Sequence, residues 1–486
     1  MPDVTISTLL LFLVDWGFRL GFALHILLRR RPLAVTLTWI AIVLVVPVAG
    51  IVLYLFFGQL RLGEDRLVWF KRFTHEMFED AEAVFRQRGE LATRDADHAA
   101  AEQIQRFAAH AGHLPALSGN HVDLIADTDA FLDGLIAELE RAERSAFIQT
   151  YIWQPSARTQ EVVDAIAAAA RRGVDCRVLA DGVGAYQWLA SESRRELKRA
   201  GARIVSEMPV GPFRLLFRRL DIRNHRKIAV FDGRVAFVGS HNLTDSTFGT
   251  GERDSVGPWI DASVRIEGPA AQALQLVLLR DWEFDASERV ISVRRFMPDL
   301  EPAGGAVAQV IPSGPGINAR AFEQTLLTAL YSARREALLV TPYFVPDEPT
   351  QRAITAAAGR GVRVVLLMPR RNDSLLVASA AKSCFPELLR AGVEIHEYTP
   401  ALLHAKLIAI DDTVAFAGSS NLDMRSFELN FEVMLALYDR PSIALVRAQI
   451  ERYLDASERI DPAAWESVSI PRRLGYNLAN LASQIL

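Results

Sequence analysis

The stretch "RNHRKIAVFDGRVAFVGSHNL" occupies residues 223–243, and "LLHAKLIAIDDTVAFAGSSNL" occupies residues 402–422. Each places a histidine two residues before a lysine, then an apolar run, an aspartate, a second apolar run and Gly-Ser-x-Asn. Alternate residues of a strand share a face, so each His-x-Lys pair points to one side. The aspartate begins a turn, and the returning strand brings Ser and Asn back beside His and Lys. The pattern therefore predicts two matching sets of polar side chains.

The two stretches lie in matching halves of a duplicated chain. The matched blocks keep the same order: 130–147 with 321–338, 165–179 with 353–367, and 196–205 with 387–396. Alanine-rich helical runs end in Arg-Gly before valine-rich strands, a pattern typical of helices alternating with buried strands. We therefore predict an α/β fold with two tandem domains, mostly buried sheets flanked by helices, related by a pseudo-twofold.

Changes in composition predict four segments along the 486 residues. A membrane region should cover residues 1–57, and a charged helical connector should follow at 58–115. The two repeat domains should cover 116–300 and 301–486, with the boundary in the Pro- and Gly-rich stretch 301–316. Residues 471–486, with Arg472 and Arg473 near the start, predict a short amphipathic helix at the C-terminal end of the second domain, which either lies on the bilayer or packs against that domain.

Two hydrophobic segments occupy the N-terminus, at about 4–28 and 33–57. Residues 33–57 contain no charged side chain and are long enough for a transmembrane helix. Residues 4–28 include Asp15 and Arg19, which can pair four residues apart on a helix, and predict a second span or a re-entrant segment. We therefore expect a multi-pass membrane protein.

Basic residues do not decide the orientation in that membrane. Arginines 29, 30 and 31 lie between the two segments, and Arg61, Arg66, Lys71 and Arg72 follow the second. The positive-inside rule draws both groups to the cytoplasm, which two full spans cannot satisfy. We expect the catalytic domains to face the cytoplasm.

Composition narrows the classes of function. The formal net charge is −4, so no overall basic character favours nucleic acid as a partner. Cys176 and Cys384 are the only cysteines, and their spacing fits neither a metal site nor a disulfide framework. We expect no metal and no organic cofactor, and the oligomeric state stays open.

The paired side chains suit chemistry at a phosphodiester. One imidazole, of His225 or His404, can attack phosphorus while the other protonates the leaving alkoxide. The near-symmetric sequence does not decide between the two. The expected donors to the non-bridging oxygens are Lys227, Lys406, Asn242 and Asn421, with Ser240 and Ser419 as further contacts.

Four carboxylates are candidates for supporting roles. Asp261 and Glu432 are expected to orient the imidazoles, although both also fit surface or capping positions. Asp232 and Asp411 are placed in the catalytic set, with a structural role at the turns as the alternative. His241 occupies the position at which the second copy has Ser420, so we expect His241 to lie beside the site without taking part in catalysis.

These motifs resemble the paired H-x-K-x4-D…G-S-x-N motifs of the phospholipase D superfamily, over about residues 116–486. The phrases "RNHRKIAVFDGRVAFVG", "LLHAKLIAIDD…GSSNLDMRSFELNFE" and "PWIDASVRIEGP", behind a hydrophobic N-terminus, resemble the bacterial cardiolipin synthase family. One departure is Gln149-Thr150-Tyr151, where relatives often carry a glutamate before a tyrosine pair. This departure concerns a secondary contact of the site and leaves the chemistry of the paired His and Lys residues unchanged.

The resemblance implies roles for these residues. His225 would be the nucleophile and His404 the general acid and base, while the paired lysines and asparagines bind phosphate. A phosphohistidine intermediate would pass the phosphatidyl group of one phosphatidylglycerol to a second, releasing glycerol. The expected partners are phospholipid substrates and the bilayer. A hydrolase yielding phosphatidic acid, a nuclease of the same superfamily and a non-catalytic lipid-binding protein are the alternatives.

Overall fold

The computed structural model describes residues 2–29, 33–58, 64–92, 99–209, 221–250, 256–286, 288, 293–315 and 318–483. The chain divides into two compact units, one built around the first 67 residues and the other from residues 68–209 and 222–483. Arg30, Arg31 and Arg61, on which the orientation prediction depends, lie outside the described residues.

The N-terminal unit consists of helices. They are α1 (Pro2–Leu27), α2 (Leu33–Val45) and α3 (Pro47–Phe57). Within the described residues, α1 is the one helix long and apolar enough to cross a bilayer, over Ser7–Leu27. The predicted pair forms on it: Nε of Arg19 donates to Oδ2 of Asp15 at 2.8 Å. A second guanidinium nitrogen donates to the carbonyl of Leu44 on α2 at 2.6 Å.

The prediction of a single transmembrane helix over 33–57 is wrong, and a multi-pass arrangement is not supported. Pro47 has no amide hydrogen and breaks the segment at Val46. Helices of 13 and 11 residues reach about 20 Å and 17 Å, short of the hydrocarbon core of about 30 Å. They fold back as a hairpin, which brings the rings of Trp39 and Tyr54 within 5.5 Å.

Helices and strands alternate through the first half of the larger unit, as the sequence predicts. The helices there are α4 (Glu64–Gln87), α5 (Ala99–Gly112), α6 (Thr128–Arg141), α7 (Ala157–Arg171), α8 (Tyr186–Ala190), α9 (Glu192–Ala200) and α10 (Pro269–Ala286). The strands are β1 (Leu117–Ile125), β2 (Ser145–Thr150), β3 (Asp175–Asp181), β4 (Arg203–Glu207), β5 (Ile228–Phe231), β6 (Val235–Gly239), β7 (Trp259–Ile260) and β8 (Ser263–Glu267).

The second half repeats this order. Its helices are α11 (Ala321–Ser332), α12 (Glu348–Gly359), α13 (Leu375–Arg390), α14 (Met424–Glu428), α15 (Arg440–Asp455), α16 (Pro462–Glu466) and α17 (Ile470–Ser483). Its strands are β9 (Ala306–Ser313), β10 (Glu336–Val340), β11 (Phe344–Val345), β12 (Arg363–Pro369), β13 (Glu394–Tyr398), β14 (Leu402–Leu403), β15 (Leu407–Ile410), β16 (Val414–Gly418), β17 (Leu422–Asp423), β18 (Glu432–Leu437) and β19 (Ser457–Arg459).

One mixed sheet of fifteen strands runs through both halves, in the order β19-β13-β12-β10-β15-β16-β18-β9-β1-β8-β6-β5-β2-β3-β4. The halves meet where β1 pairs antiparallel with β9. The predicted boundary at 301–316 therefore contains a central strand. The Pro and Gly that suggested a linker flank this strand, apart from Pro312 near its end.

The sheet is covered on both faces, which explains its apolar strands. One face packs on α10 and α15, and the apolar side chains of α10 form part of a core shared by the two halves. The other face has a separate core in each half, with α6 and α7 over the first and α11 to α13 over the second. This mixed α/β architecture confirms the predicted fold class and presents β5 and β15 with the histidines at their starts.

Candidate active site

Each histidine segment is held by a strand segment of the opposite half. The amide of His225 donates to the carbonyl of Phe431 at 2.9 Å. The amide of His404 donates to the carbonyl of Ile260 at 2.8 Å, where β14 pairs with β7. The residues after these two carbonyls are Glu432 and Asp261, so the backbone pairing itself delivers a carboxylate to each imidazole.

The carboxylates bind the imidazoles across the two halves. Nδ1 of His225 lies 3.0 Å and 3.1 Å from the two carboxylate oxygens of Glu432. Nδ1 of His404 lies 2.6 Å from Oδ1 of Asp261. An ionised carboxylate only accepts hydrogen bonds, so each Nδ1 carries the proton and each Nε2 keeps a lone pair. The structure thus brings together all four residues that the sequence proposed for this arrangement.

Burial keeps both imidazoles neutral at physiological pH. Desolvation lowers the pKa of His225 to about 4, against the opposing charge of Glu432. Desolvation lowers the pKa of His404 to about 3 in the same way, although Asp261 opposes it. Burial also acts on Glu432, yet the histidine and Lys227 outweigh it and hold the carboxyl pKa below its usual value. Both carboxylates stay ionised beside neutral rings.

The two lysines lie in the same buried site. Nζ of Lys227 donates to the carbonyl of His225 at 2.6 Å, and Nζ of Lys406 donates likewise to the carbonyl of His404 at 2.6 Å. Burial lowers their pKa values, to about 7 for Lys227 and about 8 for Lys406. Each also lowers the pKa of the histidine in the opposite half, which shows that the two motifs form one site.

The imidazoles differ at Nε2, which separates their chemistry. Nζ of Lys406 lies 3.0 Å from Nε2 of His404. Among the described residues, Nε2 of His225 has no hydrogen-bond partner. The lone pair of His225 is therefore available, whereas that of His404 is already held by an ammonium group.

The asparagines leave polar atoms free. The amide of Ile152 donates to Oδ1 of Asn242 at 3.0 Å, which turns Nδ2 away from the backbone. Within the part of the chain that the structure describes, Nδ2 of Asn242 and Oδ1 of Asn421 are buried without a partner. Buried polar side chains usually have hydrogen-bond partners, so these atoms are candidates for contact with a substrate. A carboxamide can present its donor to a phosphate oxygen.

The serines are occupied within the protein. Oγ of Ser419 donates to Oε2 of Glu432 at 2.5 Å, and Oγ of Ser240 donates to the carbonyl of Ala262, beside Asp261. The preceding glycines permit this approach, since a Cβ on Gly239 or Gly418 would lie within 2.3 Å of a neighbouring atom. The geometry therefore places Ser419 against the Glu432 carboxylate and Ser240 against the backbone next to Asp261.

Aromatic side chains enclose the two imidazoles. The rings of Tyr151 and His225 lie 5.0 Å apart, and those of Trp259 and His404 lie 4.1 Å apart. Tyr343 lies 6.2 Å from His404 and hydrogen-bonds to Asp373. In the described residues, no group of three or more His, Cys, Asp or Glu side chains is arranged to hold a metal ion.

Comparison with known proteins places this site in a family. The model described as "Cardiolipin synthase, PLD-like domain" matches residues 135–262 and 326–454. Cardiolipin synthase A from Yersinia pseudotuberculosis and that from Yersinia pestis are each 35% identical over 495 residues, covering 99% of this chain and 100% of theirs. The chain belongs to the cardiolipin synthase family of the phospholipase D superfamily. The motif resemblance is thereby confirmed.

Two further comparisons cover the fold and the N-terminus of this cardiolipin synthase family member. A phosphatidylserine synthase from Haemophilus influenzae has a TM-score of 0.60 at 15% identity, covering 79% of this chain and 100% of that one. At that identity the likeness concerns the fold alone. The model described as "Phospholipase_D-nuclease N-terminal" matches residues 20–59, which include the α2–α3 hairpin.

The structure corrects the placement of Asp232 and Asp411 in the catalytic set. Both begin turns with a positive φ, 54° and 49°, at the far end of β5 and β15 from the histidines. The Asp232 carboxylate accepts the amides of residues 143 to 145, and that of Asp411 accepts those of residues 334 to 336. Each aspartate of the motif therefore fixes the start of a neighbouring strand.

This correction gives a test of stability. Replacing Asp411 by Asn should lower the midpoint of thermal inactivation by roughly 5 °C, because a carboxylate that accepts three amides contributes a few kcal/mol. Turnover measured well below that midpoint should stay within about threefold of wild type. Asp412→Asn, one residue along in the same turn, serves as the control. A loss of turnover in Asp411→Asn without a change in the midpoint would return this residue to the catalytic set.

The sequence did not reveal a buried polar network behind the site. Arg226 is fully buried, and its guanidinium donates to the carbonyls of Glu432 and Ser313 at 2.9 Å each and pairs with Asp281. Gln149, the departure from the family pattern, donates to Asp281 at 2.8 Å and to Glu207 at 2.7 Å. The matching positions of the second half are Ala405 and Val340, so this network exists only behind His225.

Arg226 therefore holds the strand start that carries Glu432. Replacing Arg226 by Lys keeps the positive charge but removes the planar guanidinium, which donates to several acceptors at once. We expect kcat to fall about 10- to 100-fold with little change in KM, because small displacements of an orienting group are costly. Arg265→Lys, at a half-buried arginine paired with Glu138, is the control. Equal kcat values for both variants would contradict a positioning role.

Proposed function

We propose that this enzyme transfers a phosphatidyl group from one phosphatidylglycerol to another through a phosphohistidine at His225, giving cardiolipin and glycerol. The observation that carries the proposal is the reciprocal pairing of His225 with Glu432 and of His404 with Asp261. It supplies two neutral imidazoles with fixed tautomers in one buried site.

The first step uses the free lone pair of His225. Its Nε2 attacks the phosphorus of the donor lipid, and a P–N bond forms as the P–O bond to the glycerol headgroup breaks. His404 delivers a proton to the departing alkoxide, with Lys406 3.0 Å from its Nε2 as the neighbouring proton source. Free glycerol leaves. Glu432 stabilises the positive charge that develops on the His225 ring.

The second step reverses these roles. The headgroup hydroxyl of a second phosphatidylglycerol gives its proton to Nε2 of His404, which returns it to Lys406, and the hydroxyl oxygen attacks the phosphorus. The P–N bond breaks, cardiolipin leaves, and His225 regains its lone pair. In both steps Lys227, Lys406 and the two asparagines face the non-bridging oxygens, where preorganised donors stabilise the transition state.

The finer organisation of the chain is part of the proposal. The repeated strand order supports a pseudo-twofold relation between domains at 116–300 and 301–486, with the residues before 116 as membrane region and connector. The apolar helix α1 supports attachment to the bacterial inner membrane. We keep the cytoplasm as the proposed side of the active site.

A product assay tests the function. The purified protein in vesicles receives phosphatidylglycerol labelled in its headgroup and acyl chains, and the lipids are separated. We expect labelled cardiolipin, with one free glycerol released for each cardiolipin formed. Phosphatidic acid without cardiolipin would make the chain a hydrolase. No lipid product, together with cleavage of single-stranded DNA, would make it a nuclease.

The buried lysines predict an alkaline limit to activity. As bases with pKa values lowered to about 7 and 8 by burial, they lose positive charge above those values and bind the phosphodiester less well. The pKa of His225 at about 4 leaves it neutral, and competent, down to mildly acidic pH. We expect kcat/KM to be level from about pH 5 to 6.5, to fall about tenfold per pH unit above about pH 7, and to fall more steeply above about pH 8, where the second lysine also loses its charge.

Initial rates between pH 4.5 and 9.5 check this profile. Lys382→Gln, which changes a lysine on α13 outside the motifs, should show the same alkaline limb as wild type. A kcat/KM that stays constant to pH 9.5 would contradict the assignment to the two buried lysines.

A further inference from the structure

The last helix of the larger unit turns its apolar face outward. Ile470, Leu474, Leu478 and Leu481 of α17 are between 53% and 81% exposed. At 100° per residue they fall within about 80° on one side of the helix. The opposite side, which includes Tyr476 and Ala479, is partly buried, and Tyr476 stacks on Trp465. The helix is thus attached through its small and aromatic face while four large aliphatic side chains meet the surroundings.

A second exposed apolar group lies at the edge of the active site. Leu375 and Leu376, on the first turn of α13, are 83% and 37% exposed. Two residues earlier, the Asp373 carboxylate accepts the hydroxyl of Tyr343 at 2.8 Å, and Tyr343 lies beside His404. Since α17 packs along α13, the two apolar groups belong to neighbouring helices.

The first half repeats this feature. Val183 and Tyr186, which follow β3, are 43% and 61% exposed. The amide of Val183 donates to Asp181 at 2.8 Å, and that carboxylate contacts the segment 223–224 directly before His225. Exposed apolar side chains therefore lie near both catalytic histidines.

The charge around these groups suits an anionic surface. Arg472 and Arg473 precede Leu474, and no acidic residue occurs in α17. Near Leu375, Arg370 pairs with Glu458 at 2.9 Å, so the basic character of the surface comes mainly from α17. Basic residues beside an exposed aliphatic stripe are the pattern of helices that lie in the interface of anionic bilayers.

We propose that the outward face of α17 and the pair Leu375–Leu376 form a docking surface by which the catalytic unit inserts into an anionic lipid bilayer. The surface brings Tyr343, which lies beside His404, close to the phospholipid headgroups. It concerns where the site meets the bilayer and does not depend on which lipid reaction follows.

Quenching by lipids tests insertion without using turnover. The full chain, carrying one introduced cysteine labelled with an environment-sensitive fluorophore, is placed in vesicles of phosphatidylglycerol and phosphatidylcholine with a spin-labelled lipid. The native thiols are buried. Labels at Leu375→Cys and Leu478→Cys should be quenched at least threefold more than one at Arg352→Cys on exposed α12. Equal quenching at all three positions would overturn the proposal.

A second copy of the chain is the competing occupant of this face. Energy transfer between labels at Leu478→Cys that depends on protein density, without lipid quenching, would assign the surface to self-association and overturn bilayer docking.

The double variant Leu474→Glu with Leu478→Glu should raise KM for vesicles about tenfold. Its turnover of a monomeric short-chain phosphatidylglycerol should be unchanged, and an unchanged KM for vesicles would also count against docking.

Discussion

Replacing His225 by Ala should lower the rate of cardiolipin formation by at least about 10³-fold, because the side chain that forms the covalent bond to phosphorus is removed. In the structure, its Nε2 is the free imidazole lone pair of the site, with Nδ1 fixed by Glu432. His404 cannot substitute, since its own Nε2 lies 3.0 Å from Lys406. The rate is measured as labelled cardiolipin formed per folded protein.

His241 supplies a matched control. It is as buried as the catalytic histidines and stacks on Phe131, but the second half has Ser420 at the same position. The variant His241→Ser should keep turnover within about tenfold of wild type. If His225→Ala retained more than a few per cent of wild-type turnover, His225 would not be the nucleophile.

The Glu432→Gln variant should show the second large effect, a fall in kcat of about 10²- to 10⁴-fold. An amide can donate to Nδ1, which moves the ring proton to Nε2 and removes the lone pair that attacks phosphorus. Asp261→Asn should cause a comparable loss through His404. Because His404 moves the proton in both steps, Asp261→Asn should slow both the formation and the decay of the phosphatidyl-enzyme, whereas Glu432→Gln should prevent its formation.

Rapid-quench measurements separate these two steps. Glu428→Gln is the control, since Glu428 lies four residues from Glu432 and pairs with Arg320 instead. Thermal midpoints report whether either variant is merely unfolded. Normal phosphorylation rates in Glu432→Gln would contradict the proposed role of that carboxylate.

The local patterns were enough to predict most of the site. Alternation placed His and Lys on one face, and the duplication supplied the second set, so both motifs were found without long-range information. The candidates Asp261 and Glu432 followed from their position after the motifs. What the sequence did not reveal was the exchange between halves, in which Glu432 serves His225 and Asp261 serves His404, because that depends on which strand ends meet.

The errors have local physical causes. Hydropathy treated residues 33–57 as continuous, but Pro47 ends one helix and a tight hairpin follows. Asp232 and Asp411 recur at the same distance after the two histidines, which suggested a catalytic role. The distance is fixed because each turn needs an aspartate with a left-handed backbone conformation. Arg226 lies between His225 and Lys227 in the motif, and its partner Asp281 lies 55 residues away on α10, beyond any sequence pattern.

The most direct test of the account is to locate the covalent intermediate. The wild-type enzyme and the Asp261→Asn variant are quenched during turnover of labelled phosphatidylglycerol, and the modified residue is mapped by mass spectrometry under alkaline conditions that preserve phosphohistidine. The account predicts a phosphatidyl group on His225 and none on His404 in both proteins. A phosphatidyl group on His404, or cardiolipin formed with no modified histidine in either protein, would contradict it.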